Sequence, residues 1–337
     1  MSFFPWQAAQ WERVLKQVRE NKVPHAFLLN GVEGIGKLQF AESLAAYLLC
    51  ESTSEGKLEQ ACGTCKQCRL VESETHPDYK HIGPEEGSSI LKVDAIRNMV
   101  EFFAQSSMQG GRKLAVLSPA ESLNHNAANA LLKTLEEPSG DSVIILVSHS
   151  SGQLLPTIRS RCQVIDFSLP ETSAAKQWLE AALNKDELSL SGAELDSVLA
   201  LAAQAPLRAL EYVKTGALEE NQRMLEEMAS FLRKDVLALV LAERWSDDLS
   251  ILRVEWMIQW LELVLKVKLA SFSTEGLAAA KMIDHLAKVS TEAQLLDLYK
   301  SALDQLRLLL GTSNPNKQLV FEFLLNQWAG LMAKRTV

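Results

Sequence analysis

The segment Gly31-Val-Glu-Gly34-Ile-Gly36-Lys37 constrains the fold more than any other part of this chain. Before it runs His25-Ala-Phe-Leu-Leu-Asn30, a short apolar stretch that reads as a buried strand. After it, Leu38 to Leu49 carries apolar residues at helical spacing. Strand, glycine turn and helix in this order fit the pattern G-x-x-x-x-G-K-[ST]. There, backbone N–H groups at a helix N-terminus cradle phosphate and the lysine reaches the outer phosphates. Gly31, Gly36 and Lys37 match, and Gly34 lies inside the turn. The final position departs from the pattern: Leu38 stands where a hydroxyl should meet Mg²⁺, and leucine cannot coordinate a hard cation.

The same alternation continues downstream. Residues 78–82, 114–117, 143–147 and 164–167 read as strands, with β-branched residues densest in Val143-Ile-Ile-Leu-Val147. Residues 93–103 and 126–137 read as helices, the second stopped by Pro138. Strands alternating with helices predict a parallel, three-layer α/β domain over residues 1–168. After Pro170 the strand signals end. Residues 169–215 read as a small helical domain and 216–337 as a larger one, with linkers near Leu169-Pro170 and Thr215-Gly216. Trp256, Trp260, Leu263 and Val267 fall on one helical face and are expected in a core or a subunit contact.

Phosphate hydrolysis also needs a strand ending in a carboxylate, to hold Mg²⁺ and orient water. The candidate strand 114–117 runs into Ser118-Pro119, and no carboxylate follows until Glu121. Two separate parts of a hydrolytic site are thus missing, and useful ATP turnover is not expected. Nucleotide binding without turnover stays open, because the glycines and Lys37 remain. The favoured reading is a glycine turn that holds no ATP. The runner-up is an ATPase with unusual Mg²⁺ ligation, using Glu121.

Five cysteines are present, and four crowd together as Cys50-x11-Cys62-x2-Cys65-x2-Cys68. In a cytoplasmic chain such a cluster reads as a metal site rather than a disulfide framework. Four thiolates suit structural zinc, which leaves no open position for water. The run typical of iron–sulfur ligation is absent. Residues 50–75, which carry the cluster, read as an insertion. Cys162 stands apart and is expected to be a buried small residue.

The formal net charge is −8, with 34 basic and 42 acidic side chains. Residues 1–168 hold 16 basic and 19 acidic groups, so neither half is a basic arm. Bulk capture of DNA by charge is therefore excluded, and any DNA contact must be local or made through an assembly. No apolar run reaches the roughly 20 residues of a membrane span. The first ten residues lack the layout of a secretory signal. A cytoplasmic location is expected, with no membrane partner.

Two further motifs are more specific than the glycine loop. Asn129-Ala-Leu-Leu-Lys133-Thr-Leu-Glu-Glu-Pro138 precedes the strand 143–147, and Thr157-Ile-Arg-Ser160-Arg161-Cys162 follows it. With His25-Ala opening the first strand, the four-cysteine insertion and Thr75-His-Pro-Asp78, this order resembles the clamp-loader family of AAA+ ATPases over residues 1–168. The C-terminal half is similar in helical character, in size and in the stretch Asn314 to Leu325. The resemblance implies a RecA-like AAA+ domain over 1–168, a lid over 169–215 and a collar over 216–337. Apolar helices such as 236–242 and 254–269 suit that collar.

Motor members of the family, of gamma/tau type, keep the Ser/Thr and the Asp-Glu pair that this chain lacks. The departure points to a non-catalytic stator member. Arg161, the arginine of the S-R-C motif, is then implied to reach a neighbouring subunit's nucleotide as a finger in trans. The plainer alternative is an arginine paired with a local carboxylate. Arg159 lacks motif support and is expected in solvent. Arg208 falls near a lid sensor arginine and is read equally as a relic. The implied partners are gamma/tau and delta subunits in a hetero-pentameric ring, a sliding clamp and primed DNA mainly through the assembly. Nothing resembles a polymerase site, which needs paired carboxylates for two metals, so DNA synthesis belongs to another chain.

Overall fold

The structure is a computed structural model. It describes residues 3–53, 58–85, 88, 90–109, 111–270, 272–274, 277–311 and 315–332. Asn314, which opens the C-terminal similarity, lies outside the described residues. By contact density the chain divides into two compact units. The first is residues 1–182 with 204–208; the second is residues 183–203 with 209–337.

The first unit is a five-stranded sheet between helices. In chain order its elements are α1 (Ala8–Arg19), β1 (Ala26–Asn30), α2 (Lys37–Leu49), α3 (Lys66–Glu72), β2 (Tyr79–Ile82), α4 (Val93–Ala104), β3 (Lys113–Leu117), α5 (His125–Glu136), β4 (Ser142–Ser148), α6 (Pro156–Arg159) and β5 (Gln163–Asp166). Helix α7 (Thr172–Lys185) follows, and the boundary between the units runs through it. The strand order is β2-β3-β4-β1-β5. All four pairings are parallel; Leu28 of β1 aligns with Leu146 of β4 and with Val164 of β5.

The strands are apolar on both faces because both faces are covered. With the two-residue period, Phe27, Leu29, Leu114, Val116, Val143 and Ile145 join one core with Trp11 of α1 and Phe40 and Leu44 of α2. Leu28, Ala115, Leu117, Ile144 and Leu146 join the other, against Met99 and Phe103 of α4, Leu131 of α5 and Ile158 of α6. Leu28 and Leu146 are fully buried, so truncating either to alanine costs about 2–5 kcal/mol. Asn124 caps α5, its side chain accepting from the Ala127 N–H at 2.8 Å. Helices α1, α3 and the four-residue α6 escape the sequence reading. Helix α1 carries Trp11, Val14, Leu15 and Val18 at helical spacing, and α3 is only seven residues long.

The second unit is helical: α8 (Gly192–Leu201), α9 (Pro206–Thr215, its start lying in the first unit), α10 (Ala217–Leu232), α11 (Ala238–Trp245), α12 (Ser250–Ala270), α13 (Ala280–Val289), α14 (Glu292–Leu310) and α15 (Lys317–Met332). Trp245, Trp256, Trp260 and Trp328 fill its core. Of the face expected to be apolar contact, Trp256 and Trp260 are buried and Leu263 and Val267 partly so. Arg253 is 4% exposed and is held by Asp247, by Glu220 and by the Trp245 carbonyl. Among the described residues no helix is long and apolar enough to cross a membrane.

Candidate functional site

Chemistry in an open parallel sheet gathers at the C-terminal strand ends, where the strand order switches. Here β1, between β4 and β5, delivers the chain to Gly31 at that edge. The glycines are required by their surroundings. A Cβ on Gly34 would lie 2.7 Å from the Arg208 Cβ, and one on Gly36 would lie 2.3 Å from the Phe4 ring. Gly36 also has φ +87°, which L side chains rarely adopt. The loop carbonyls are engaged from two sides. Trp6 Nε1 donates to Ile35 O at 2.9 Å, and Gln7 Nε2 donates to Ile35 O and Gly36 O at 3.0 and 2.9 Å. The Leu207 N–H donates to Gly34 O at 3.0 Å.

Lys37 is 2% exposed. Its ammonium donates to Val32 O within its own loop and meets His149 Nδ1 at 3.0 Å. Burial pulls its pKa down to about 8, against the opposing pull of Glu121 and Glu33. Burial and the neighbouring ammonium also lower the pKa of His149. Facing a donor, Nδ1 must accept, which puts the imidazole proton on Nε2. The His149 backbone N–H donates to Glu121 Oε1 at 2.8 Å. Leu38 packs partly buried against the core, and Ser118-Pro119 follows β3 directly. Gly31, Gly34, Gly36 and Lys37 are thus brought together, with Leu38 directly after the lysine and Ser118-Pro119, rather than a carboxylate, directly after β3.

The four cysteines also converge. Cys50 caps the C-terminal end of α2, Cys65 caps the start of α3, and Cys68 lies in its first turn. The four Sγ atoms all lie within 4.8 Å of one another. The Cys62–Cys68 and Cys65–Cys50 separations are 3.9 and 4.0 Å. A tetrahedron of thiolates at about 2.3 Å from zinc has edges of roughly 3.8 Å, so the donor set fits. The N–H groups of Cys62, Cys65 and Cys68 point at the sulfurs of Cys50, Cys62 and Cys65 at 3.3–3.4 Å. Such donors stabilise thiolate. At Cys62, the Thr64 and Cys65 N–H groups bring the thiol pKa down to about 5, whereas burial pushes Cys68 up. Four cysteines this close could bind a metal ion. Tyr47 of α2 and Trp11 of α1 tie the insertion to these helices by donating to Leu58 O and Glu59 O at 3.1 and 2.7 Å.

Asp78 of the Thr75-His-Pro-Asp78 motif is a clasp. Its carboxylate accepts from Ser107 Oγ and from the Met108 and Gln109 N–H groups, each at 2.9 Å. Burial opposes the charge, but these bonds with nearby His76 prevail and hold its pKa below the ordinary carboxylate value.

Arg161 lies beyond α6, whose buried Ile158 anchors the turn. Its Nη2 meets Glu136 Oε1 at 2.6 Å and its Nη1 donates to Thr157 O at 2.9 Å. The side chains of Arg161 and Glu136 are 34% and 51% exposed. Such a pair is worth only about 0–1 kcal/mol. The local carboxylate weighed in the sequence is therefore present, and it is Glu136. Arg159 is exposed, and Cys162 is partly buried with its thiol pushed up to about 12 by burial. Arg208 stands against Gly34 of the glycine loop. Sequence reasoning missed His149 and Glu136 as partners. Glu136 was visible inside the N-A-L-L-K-T-L-E-E-P motif; His149, 112 residues from Lys37, carried no signal.

A family model described as DNA polymerase III, delta subunit, matches residues 6–171. DNA polymerase III subunit delta' of Pseudomonas aeruginosa is 39% identical over 331 residues, covering 97% of this chain and 98% of that protein. DNA polymerase III subunit delta' of Escherichia coli is 30% identical over 304 residues, covering 88% of each. The solved structure of a gamma subunit-related protein of DNA polymerase III from Thermotoga maritima has a TM-score of 0.40 at 21% identity, covering 96% of this chain and 100% of that one.

Proposed function

Since the chain belongs to the DNA polymerase III subunit delta' family, we propose that it is the non-hydrolysing stator subunit of a bacterial clamp loader. In this reading residues 1–168 form an AAA+-type domain, 169–215 a lid and 216–337 a collar that binds other subunits. The partners are gamma/tau and delta subunits, a sliding clamp, and primed DNA through the assembly, all in the cytoplasm.

The observation that carries the non-hydrolysing part is the state of the glycine loop. Its lysine is engaged by Val32 O and His149. The positions that should ligate Mg²⁺ hold a core-packed leucine and Ser118-Pro119. Zinc is the metal that suits Cys50, Cys62, Cys65 and Cys68. When bound, it would act as a cross-link between the end of α2 and the start of α3 and do no chemistry.

The contribution to catalysis is made next door. Arg161 presents a planar guanidinium to the neighbour's nucleotide, where it offsets charge spreading over the transferring phosphoryl group. Because the pair with Glu136 is worth only about 0–1 kcal/mol, it leaves the guanidinium's other donors open to a phosphate at little cost. Arg161→Ala should leave the subunit folded and assembled and cut ATP turnover at the neighbouring site about 10-fold or more. Unchanged turnover and clamp loading by an assembly carrying that substitution would end the finger assignment.

A second reading, a weakly hydrolysing gamma-like ATPase, has one observation in its favour. Glu121 Oε2 is buried without a hydrogen-bond partner among the described residues. Its other oxygen is already taken by the His149 N–H. ATP hydrolysis by the isolated chain, abolished by Lys37→Ala, would establish this second reading in place of the first.

A further inference from the structure

The geometry points to Glu136 as a positioning residue for Arg161, an inference that rests on the finger reading above. Three observations carry it. First, the contact is short and two-sided: Glu136 Oε1 lies 2.6 Å from Arg161 Nη2, while Thr157 O accepts from Nη1 at 2.9 Å. Two acceptors on two different nitrogens fix the plane of the guanidinium as well as its place. A guanidinium has five N–H donors, more than these acceptors use, so a held Arg161 still has donors to offer.

Second, both acceptors sit on firm supports. Glu136 is the last residue of α5, whose Leu131 and Leu135 are buried, and Thr157 lies on the short helix anchored by buried Ile158. The arginine itself is a long side chain one-third exposed. Without these contacts it would sample many rotamers, and a neighbour's nucleotide would have to order it. Third, Glu136 is poorly placed for its own helix. The C-terminal end of a helix carries partial negative charge and favours cations. A carboxylate there gains from Arg161 what the helix does not supply.

Glu136 touches no nucleotide in this scheme. It acts through the arginine, by holding it against the Thr157 carbonyl in a pose that a phosphoryl group can capture.

The test uses the assembled loader with its motor subunits, carrying Glu136→Ala, Glu136→Gln, Arg161→Ala or the Glu136→Ala/Arg161→Ala pair. Thermal unfolding and assembly by size exclusion confirm that each variant is folded and incorporated. Taking the kcat loss from Arg161→Ala as the full effect, Glu136→Ala should reproduce at least about a third of it, with the ATP KM within about twofold. It should add nothing on the Arg161→Ala background, as coupled residues do. Glu136→Gln keeps the length and an acceptor oxygen and should recover more than half of what Glu136→Ala loses. If Arg161→Ala lowers turnover but Glu136→Ala does not, or the two losses simply add, or glutamine does no better than alanine, the positioning role is wrong and the finger stands. If Arg161→Ala itself has no effect, the finger reading falls first and this inference with it.

Discussion

Helix α2 has a candidate ion site at each end, and the two are built in opposite ways. At its N-terminal end the glycine loop is fixed by packing: Gly31, Gly34 and Gly36 lie where no other residue fits without displacement. Leu38 and Ser118-Pro119 stand where the proposed reading looks for magnesium donors, and the lysine is engaged by the loop's own carbonyl and by His149. At its C-terminal end the backbone is an ordinary cap, but four sulfurs converge within 4.8 Å. Backbone shape persists for packing reasons of its own, whereas ion binding depends on which atoms the side chains supply.

That contrast can be broken most decisively at the cysteine end. Cys50→Ala or Cys68→Ala should abolish uptake of about one zinc per chain and destabilise the first unit by about 4 kcal/mol or more. Metal analysis with urea unfolding checks this, and a metal-free wild type as stable as the zinc-loaded protein would remove the structural role. The next largest effect is at the loop. Gly36→Ala forces a left-handed alanine whose Cβ meets the Phe4 ring at 2.3 Å, and should cost about 3 kcal/mol. A loss below about 1 kcal/mol would mean the loop yields easily and is not fixed by packing.

Lys37 sharpens the comparison by sign. Its pKa is lowered from 10.5 to about 8. The unfolded chain therefore binds more protons than the folded one between these values, and stability contributed by this group rises with pH across that window. Lys37→Met should stabilise the protein by about 1–3 kcal/mol at pH 7, a gain that shrinks toward pH 10.5 as the native lysine loses its proton. Denaturant titrations at pH 7 and pH 10 read this directly; a destabilised Lys37→Met protein at pH 7 would show that the ammonium's contacts outweigh its burial. The smallest effect is at Leu38. Leu38→Thr should cost about 1 kcal/mol and restore no ATP hydrolysis, because Ser118-Pro119 still supplies no carboxylate; turnover gained by this single change would show that one missing ligand alone had silenced the loop.

Much of the first unit was legible because its signals are local. The run His25 to Asn30 reads as a strand because parallel strands covered on both faces are continuously apolar, and β1 is found at Ala26–Asn30. The helix stopped at Pro138 is α5, ending at Glu136. The cysteine spacing foretold convergence because short intervals keep the thiols within reach of one another. Helix α3 was not legible: seven residues are too few for a period to declare itself. Helix α1 is different: Trp11, Val14, Leu15 and Val18 carry a full helical period in the sequence.

By itself the sequence determined the chemistry available at each position: leucine, serine and proline where magnesium ligands belong, four thiols in one short stretch, and an arginine after an exposed turn. It determined the alternation of strand and helix too, since periodicity is a property of neighbouring residues. Tertiary structure alone decided which groups meet. Placing β1 between β4 and β5 brought His149 to Lys37, and packing α6 near the end of α5 brought Glu136 to Arg161. These partners are far apart along the chain, and what joins them is the burial of two apolar sheet faces, a non-directional force that acts on the whole core and leaves no mark on either residue.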